Sequence, residues 1–192
     1  MKNLSQFTDE NLVNFYIDGD NDALETIINR HKNKIYTSIY LLIGDKYLAE
    51  DIFQDVFIRV IDNVKRGKYN ESGKFINWVL RIAHNMSMDH FRNIKRKPAI
   101  ITSDDKDIFE VLDFAEENIE ERIINEETHI KVRKLLDRLP DDQREVIILR
   151  NYAQLSFKEI AKLTDTCVNT SLGRMRYGLL NLRKLYNETP MA

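Results

Sequence analysis

The feature that most constrains the fold of this chain is the run of apolar residues from Leu48 to Val64. Leu48, Ile52, Phe53, Val56, Phe57, Val60, Ile61 and Val64 follow one another at steps of 4, 1, 3, 1, 3, 1 and 3. That spacing returns to one face of an α-helix over four turns, and it does not fit a strand, whose faces alternate every second residue. A helix with so wide an apolar face must bury it against other elements. Only 6 Gly and 3 Pro occur in 192 residues, so turn-rich β architecture is excluded as a partner for it and further long helices are expected.

The remaining helices follow from the same period and from their stop signals. A short helix is expected over Asp9–Asp18, with Thr8 as N-cap and Gly19 as stop. A second starts after Asp20 and runs toward Gly44, with Leu24, Ile27, Ile28, Ile35, Ile39 and Leu42 as its apolar positions. The third, the Leu48–Val64 helix, follows Asp45 and breaks near Gly67. A fourth carries Phe75, Trp78, Val79, Ile82, Ala83 and Met86, continues into the basic run Arg92 to Lys97, and stops at Pro98. Leu135, Leu136 and Leu139 precede a boundary at Pro140, after which an Asp N-cap opens a helix through Val146, Ile147 and Leu149. Ser156 and Glu159 have the spacing of a capping box. After the turn from Thr164 to Cys167, the apolar residues Val168, Leu172, Met175, Leu179 and Leu182 define a long last helix.

Charge divides the chain where the helical pattern weakens. Between Asp104 and Glu127 eleven acidic residues face only Lys106 and Arg122, a net −9, which leaves +7 for the rest of a chain whose total is −2. Arg81 to Lys97 holds five Lys/Arg against Asp89 alone, and Lys158 to Lys184 holds six against two. The order basic, acidic, basic gives two separated basic patches that suit a polyanion, and the acidic stretch between them, which lacks a clean amphipathic stripe, reads as a linker; solvated helix faces are the alternative for either patch.

Three constellations carry possible chemistry. Residues 156–185 have a capped short helix, a tight turn and a longer helix, the layout of a helix-turn-helix. Its second helix presents Asn169, Thr170 and Ser171 near the N-terminus, where such helices reach base edges, and Arg174 and Arg176 one turn later. An ordinary helical hairpin with exposed arginines is the competing reading. The helix after Lys74 joins Trp78 and Phe91 to the cations Arg81, Arg92, Lys95, Arg96 and Lys97, a composition suited to unstacked bases and single-stranded backbone. By spacing alone, Trp78 reads as core and the cationic tail as functional. Glu50, Asp51, Gln54 and Asp55 lie along one helix face, opposite much of the apolar stripe, where they suit either a basic partner or plain solvation.

Other classes lack support. There is no P-loop and no glycine-rich dinucleotide motif, and His31, His84, His90 and His129 lack metal-ligand spacing, so neither catalysis, nor a cofactor, nor a metal is expected. The single cysteine, Cys167, excludes a disulfide framework and reads as a small buried hydrophobe of the turn. The apolar runs fall short of the ~20 residues that span a bilayer. The first ten residues are polar and acidic, unlike a signal peptide. A cytoplasmic chain without membrane insertion is expected.

The stretches Asp45 to Phe57, Phe75 to Asn85, Leu139-Pro140 and Ser156 to Ala161 resemble the extracytoplasmic-function (group IV) sigma factors of bacterial RNA polymerase. The likeness covers roughly residues 9–97 and 126–186. It implies an all-α fold of two small domains: sigma region 2 over 1–97, an acidic linker over 98–125, and sigma region 4 over 126–192. It implies that Asp51, Gln54 and Asp55 bind core RNA polymerase. Trp78, Arg81, Asn85, Asp89, Arg92, Lys95 and Arg96 are then the residues facing the −10 promoter element, with Asn85 and Asp89 near its captured base. Asn169, Thr170, Arg174, Arg176 and Tyr177 are the positions facing the −35 duplex. Leu172 and Gly173 depart from the family pattern, in which a basic and a small polar residue are common. The linker is expected to thread the RNA exit path of the polymerase, where its negative charge suits a basic channel. Core RNA polymerase, promoter DNA and an anti-sigma factor are the partners implied.

The function expected is therefore promoter-specific initiation by a polymerase subunit. A freestanding helix-turn-helix regulator is the alternative, although it has no use for the acidic docking face or the aromatic-basic helix of residues 45–97. A helical adaptor that binds only protein is a third reading, and the +7 outside the linker weighs against it.

Overall fold

The computed structural model describes residues 3–69, 74–95 and 132–188, without the side chains of 93–95. Arg96, the linker expected over 98–125 and the expected start of the second domain at 126 lie outside the described residues, as does the side chain of Lys95. Among the described residues all regular structure is helical. The chain divides into two compact units, Met1–Lys97 and Pro98–Ala192.

The first unit is built from a 3-10 turn at Leu4–Gln6 and four helices: α1 (Asp9–Ile17), α2 (Asn21–Ile43), α3 (Lys46–Lys65) and α4 (Phe75–Lys95). Each of the first three begins at a side-chain cap. Thr8 accepts from the Asn11 N–H, Asp20 from those of Asp22 and Ala23, and Asp45 from that of Leu48, satisfying donors that a helix start leaves open. Gly44, at φ +79°, ends α2 in the left-handed conformation and donates its N–H to the Tyr40 carbonyl at 2.8 Å. The helix α2 packs against α1, α3 and α4, and α3 also packs against α4. Leu12, Ile27, Ile35, Ile39, Val56, Val60, Val79 and Leu80 form the centre of this core, each almost wholly buried. A polar clasp ties the chain start to α2. Asp9 accepts from Arg30 Nη1 and pairs with His31 Nε2, both at 2.7 Å, while Arg30 Nη2 donates to the carbonyls of Ser5 and Phe7.

The second unit comprises helical residues 132–137 (α5), α6 (Asp141–Asn151), α7 (Phe157–Leu163) and α8 (Val168–Glu188). Its core joins Leu136, Val146, Ile148, Leu149 and Ile160. Ser156 and Glu159 form the expected capping box, with Ser156 N–H donating to Glu159 Oε2 at 2.9 Å and Glu159 N–H to Ser156 Oγ at 3.3 Å. The guanidinium of Arg150 holds the preceding loop, donating to the Leu155 carbonyl at 2.9 Å and lying 5.1 Å from the centre of the Phe157 ring.

Four expectations are corrected. The N-cap of α6 is Pro140, without a side-chain cap bond; Asp141 and Asp142 sit inside the first turn, where the helix dipole favours acids. The buried line of α8 is not Leu172–Leu179, both of which are exposed, but passes through Ser171 and Gly178. The reason is a close approach: a Cβ on Gly178 would lie 2.9 Å from Ile147 Cδ1 and 3.3 Å from Gln143 Cβ of α6. On α4, Leu80, His84 and Ser87 are buried beside Phe75, Val79 and Ala83, whereas Trp78, Ile82 and Met86 are half-buried. Cys167 is exposed. It serves the start of α8, where its Sγ accepts from the Thr170 N–H at 3.4 Å.

Candidate nucleic-acid and partner interfaces

With one face of α3 committed to the core, the opposite face carries Asp51, Gln54 and Asp55, all exposed. Glu50 departs from that group: it is half-buried, and its charge acts with burial on Tyr36 of α2, whose hydroxyl is pushed up to about 12, burial being the larger cause. The acidic face is not purely polar. Tyr47 is 75% exposed and Ile58 64% exposed, and both fall on the same face, one turn before Asp51 and one turn after Gln54. Neither belongs to the apolar stripe of the sequence. Being apolar and off the stripe was the signal that could have found them. Together the five residues make a surface with acids at its centre and an exposed, largely apolar side chain at each end.

The same logic orders α4. Its packed side holds Phe75, Val79, Leu80, Ala83, His84 and Ser87. Trp78, Arg81, Asn85, Asp89 and Arg92 follow at steps of 3, 4, 4 and 3 along the other side, so five of the seven residues expected to face the −10 element share one helix face. Lys95 continues the helix, and Arg96 lies outside the described residues. Trp78 is half-buried, flanked by Tyr69 and Phe75 with ring centroids 4.5 and 6.0 Å away. Asn85 is exposed, and Asp89 meets Arg92 in a long, exposed ion pair of 3.4 Å, a contact too weak to hold either side chain in place.

The helix-turn-helix of α7 and α8 is stitched at its turn by hydroxyls. Thr164, Thr166 and the buried Ser171 form a chain with Oγ1–Oγ1 and Oγ1–Oγ separations of 3.0 and 3.2 Å. This fixes where α8 leaves the turn. The thiol of Cys167 is held below its ordinary value by hydrogen bonds from the Thr170 hydroxyl and backbone N–H. Asn169, Thr170, Arg176 and Tyr177 are exposed on α8, Tyr177 by 62%. Arg174 lies in line with Thr170 and Tyr177, at steps of 4 and 3, and is half-buried. Its Nε donates to Asp142 Oδ2 of α6 at 3.1 Å. Beyond these residues the exposed side of α8 adds Leu172, Leu180, Arg183 and Lys184, of which the arginine and lysine enlarge the positive face.

Among the described residues no cluster of His, Cys, Asp and Glu has the arrangement of a metal site, and no described helix is long and apolar enough to cross a membrane.

Residues 27–97 match the family model Sigma-70 region 2, and residues 129–172 match Sigma-70, region 4. The chain is 31% identical over 172 residues to the ECF RNA polymerase sigma factor SigW of Bacillus subtilis, covering 86% of this chain and 90% of that protein. It is 29% identical over 177 residues to the RNA polymerase sigma-H factor of Pseudomonas aeruginosa, covering 90% of each. Its fold is similar to that of the sigma factor RpoE of Bartonella quintana, solved in complex with the anti-sigma factor NepR, with a TM-score of 0.66 at 17% identity over 87% of this chain and 98% of that one. With both regions present in order, and with a relative of this identity matched along nearly its whole length, the chain belongs to the extracytoplasmic-function sigma factors of RNA polymerase.

Proposed function

We propose that this chain binds core RNA polymerase through Tyr47, Asp51, Gln54, Asp55 and Ile58, and directs it to promoters by opening the −10 element with α4 and reading the −35 element with α8. The observation that carries this reading is the sorting of α4 into two faces. Every packed position is apolar, small or a buried histidine, and Trp78, Arg81, Asn85, Asp89 and Arg92 run together along the free side. Aromatic, amide and guanidinium groups in a row suit bases that have left the duplex, together with their backbone. Lys95 and Arg96 extend the cationic end of the row. On α8, Asn169, Thr170, Arg176 and Tyr177 meet the duplex, while Arg174 braces the helix that presents them.

In this reading region 2 spans 1–97, the acidic linker 98–125 and region 4 126–192. The linker makes the second promoter contact intramolecular once the first has formed, so each can be weak by itself. The chain works in the cytoplasm as a specificity subunit of another enzyme and catalyses nothing alone. An anti-sigma factor is its further partner. A freestanding regulator would leave the amphipathic face of α3 without a purpose.

The test is reconstituted transcription. Core polymerase plus this chain is expected to initiate from a defined subset of promoters, with permanganate-reactive thymines in the −10 region. Failure to bind core polymerase, together with sequence-specific duplex binding by the chain alone, would favour the freestanding regulator.

A further inference from the structure

We infer that Gly173 is a specificity-determining notch in α8, which admits the C5-methyl edge of a thymine against the backbone of the helix. The inference rests on the reading that α8 meets duplex DNA. Gly19, Gly44 and Gly67 have φ of +103°, +79° and +63°, which a side chain would strain. Gly178 is helical but lies so close to Ile147 and Gln143 that a Cβ would meet them. Gly173 has neither reason. It lies inside a regular helix, and a Cβ built there meets nothing within 4 Å. Glycine is the least favourable residue for a helix interior apart from proline, so the free protein has no use for it at this position.

The surroundings say what the gap admits. Asn169, Gly173, Arg176 and Leu180 follow at steps of 4, 3 and 4 on the exposed side of α8, opposite the buried line through Ser171 and Gly178. The notch therefore lies in the middle of the face that a groove would receive, with a full turn of side chains before and after it. Leu172, 44% exposed, borders it and supplies an apolar wall. In the major groove only thymine offers an apolar group, its C5-methyl. Asn169 and Arg176 at the two ends of the notch suit adenine and guanine, whose hydrogen-bonding edges they match. A missing Cβ lets the backbone approach one pyrimidine closely enough for Leu172 to touch that methyl.

The experiment uses the full chain with core polymerase and a pool of promoters randomised in the −35 region, selected with the unmutated chain and with Gly173→Ala. The unmutated holoenzyme should select thymine at one position next to those governed by Arg176 or Asn169. Replacing that thymine by deoxyuridine, which deletes only the methyl, should weaken binding about fourfold, the worth of one buried methyl group. Gly173→Ala should melt at a higher temperature, as alanine favours the helix. It should also lose about tenfold affinity for the selected sequence, a loss in the range of a mismatched base pair, and become indifferent to deoxyuridine. Unchanged affinity and preference in Gly173→Ala would overturn the notch and leave the function standing, as would an equal loss on every sequence. If the unmutated holoenzyme selects no −35 sequence at all, the reading of α8 falls and the notch falls with it.

Discussion

Arg174 Nε and Asp142 Oδ2, 3.1 Å apart, fasten α8 to the first turn of α6. The side chain of Asn181 adds a second tie between the same helices, donating to Gln143 Oε1 at 2.8 Å. Two arginines two residues apart in the sequence therefore have different surroundings. Arg174 is half-buried and tied to α6, whereas Arg176 is exposed.

The first prediction separates them. Arg174→Ala should lower the stability of the second unit by about 0.5–1 kcal/mol, the scale of a partly exposed ion pair, and leave base preference unchanged. Its effect should be non-additive with Asp142→Ala in a double-mutant cycle. Arg176→Ala should leave the melting temperature unchanged and cost about 1–3 kcal/mol of promoter affinity at one base position if it reads guanine. Equal effects of the two substitutions on base preference would contradict this division.

Docking gives the second prediction. Reversing charge with Asp51→Lys and Asp55→Lys should abolish binding to core polymerase with helicity intact, since both residues are exposed. Ile58→Ala tests the apolar anchor separately. It should weaken the same binding by about 1–2 kcal/mol, in proportion to the apolar area withdrawn from water on docking, and barely change stability. Quantitative pull-down beside circular dichroism checks both, and undiminished binding of Ile58→Ala would confine the patch to its acids.

Much of the fold was legible before any coordinates. Thr8, Asp20, Asp45 and Ser156 stand where a cap bond forms, and the α3 stripe is buried much as its spacing requires. What the sequence left illegible was the rotation of α4 and α8. Leu172 and Leu179 have the spacing of a core stripe, yet the contact with α6 is made through Gly178, because backbones approach most closely where side chains are absent. Hydrophobicity counts side chains and cannot register an interface formed by lacking one. Likewise, Arg174 and Arg176 look equivalent until the position of Asp142, more than thirty residues away, is known. Local signals gave the helices, and the faces they present depend on partners distant in sequence.

A third prediction concerns acid stability. Burial raises the Asp9 carboxyl, but the hydrogen bonds and positive charges of His31 and Arg30 outweigh burial and leave it below 3.8. A carboxylate whose folded value is depressed contributes stability that is fully present above its unfolded value and fades as pH falls through the folded one. Asp9→Asn should therefore destabilise the first unit by about 1–2 kcal/mol at pH 7, the worth of charge-assisted hydrogen bonds in a partly buried site. The difference between the two proteins should shrink once the pH falls below about 4. Thermal melts at pH 7, 5 and 3 check it, and a difference that stays constant with pH would remove the clasp from the acid response.

The fourth prediction is strand opening, the activity that distinguishes a sigma factor from a simple repressor. Asn85 is exposed midway along the free side of α4, one turn from both Arg81 and Asp89. Its amide offers two donors and an acceptor, so it can read the Watson–Crick edge that a base exposes only after leaving the duplex. Extruding a base costs a few kcal/mol, which contacts to the base and the freed backbone must offset. Because Asn85 lies off the packed face, Asn85→Ala should leave the fold and closed-complex binding nearly unchanged while impairing open-complex formation about tenfold or more, the loss of at least one hydrogen bond in a desolvated site. A pre-melted bubble should restore part of the deficit, since the extrusion step is then already complete. Arg92→Ala, by contrast, removes an exposed cation, and if that cation meets the backbone it should lower affinity with little change in base preference and a shallower dependence on salt. Permanganate footprinting of a matched promoter with polymerase present reads the bubble directly, and normal reactivity with unchanged base preference in Asn85→Ala would exclude that residue from base capture.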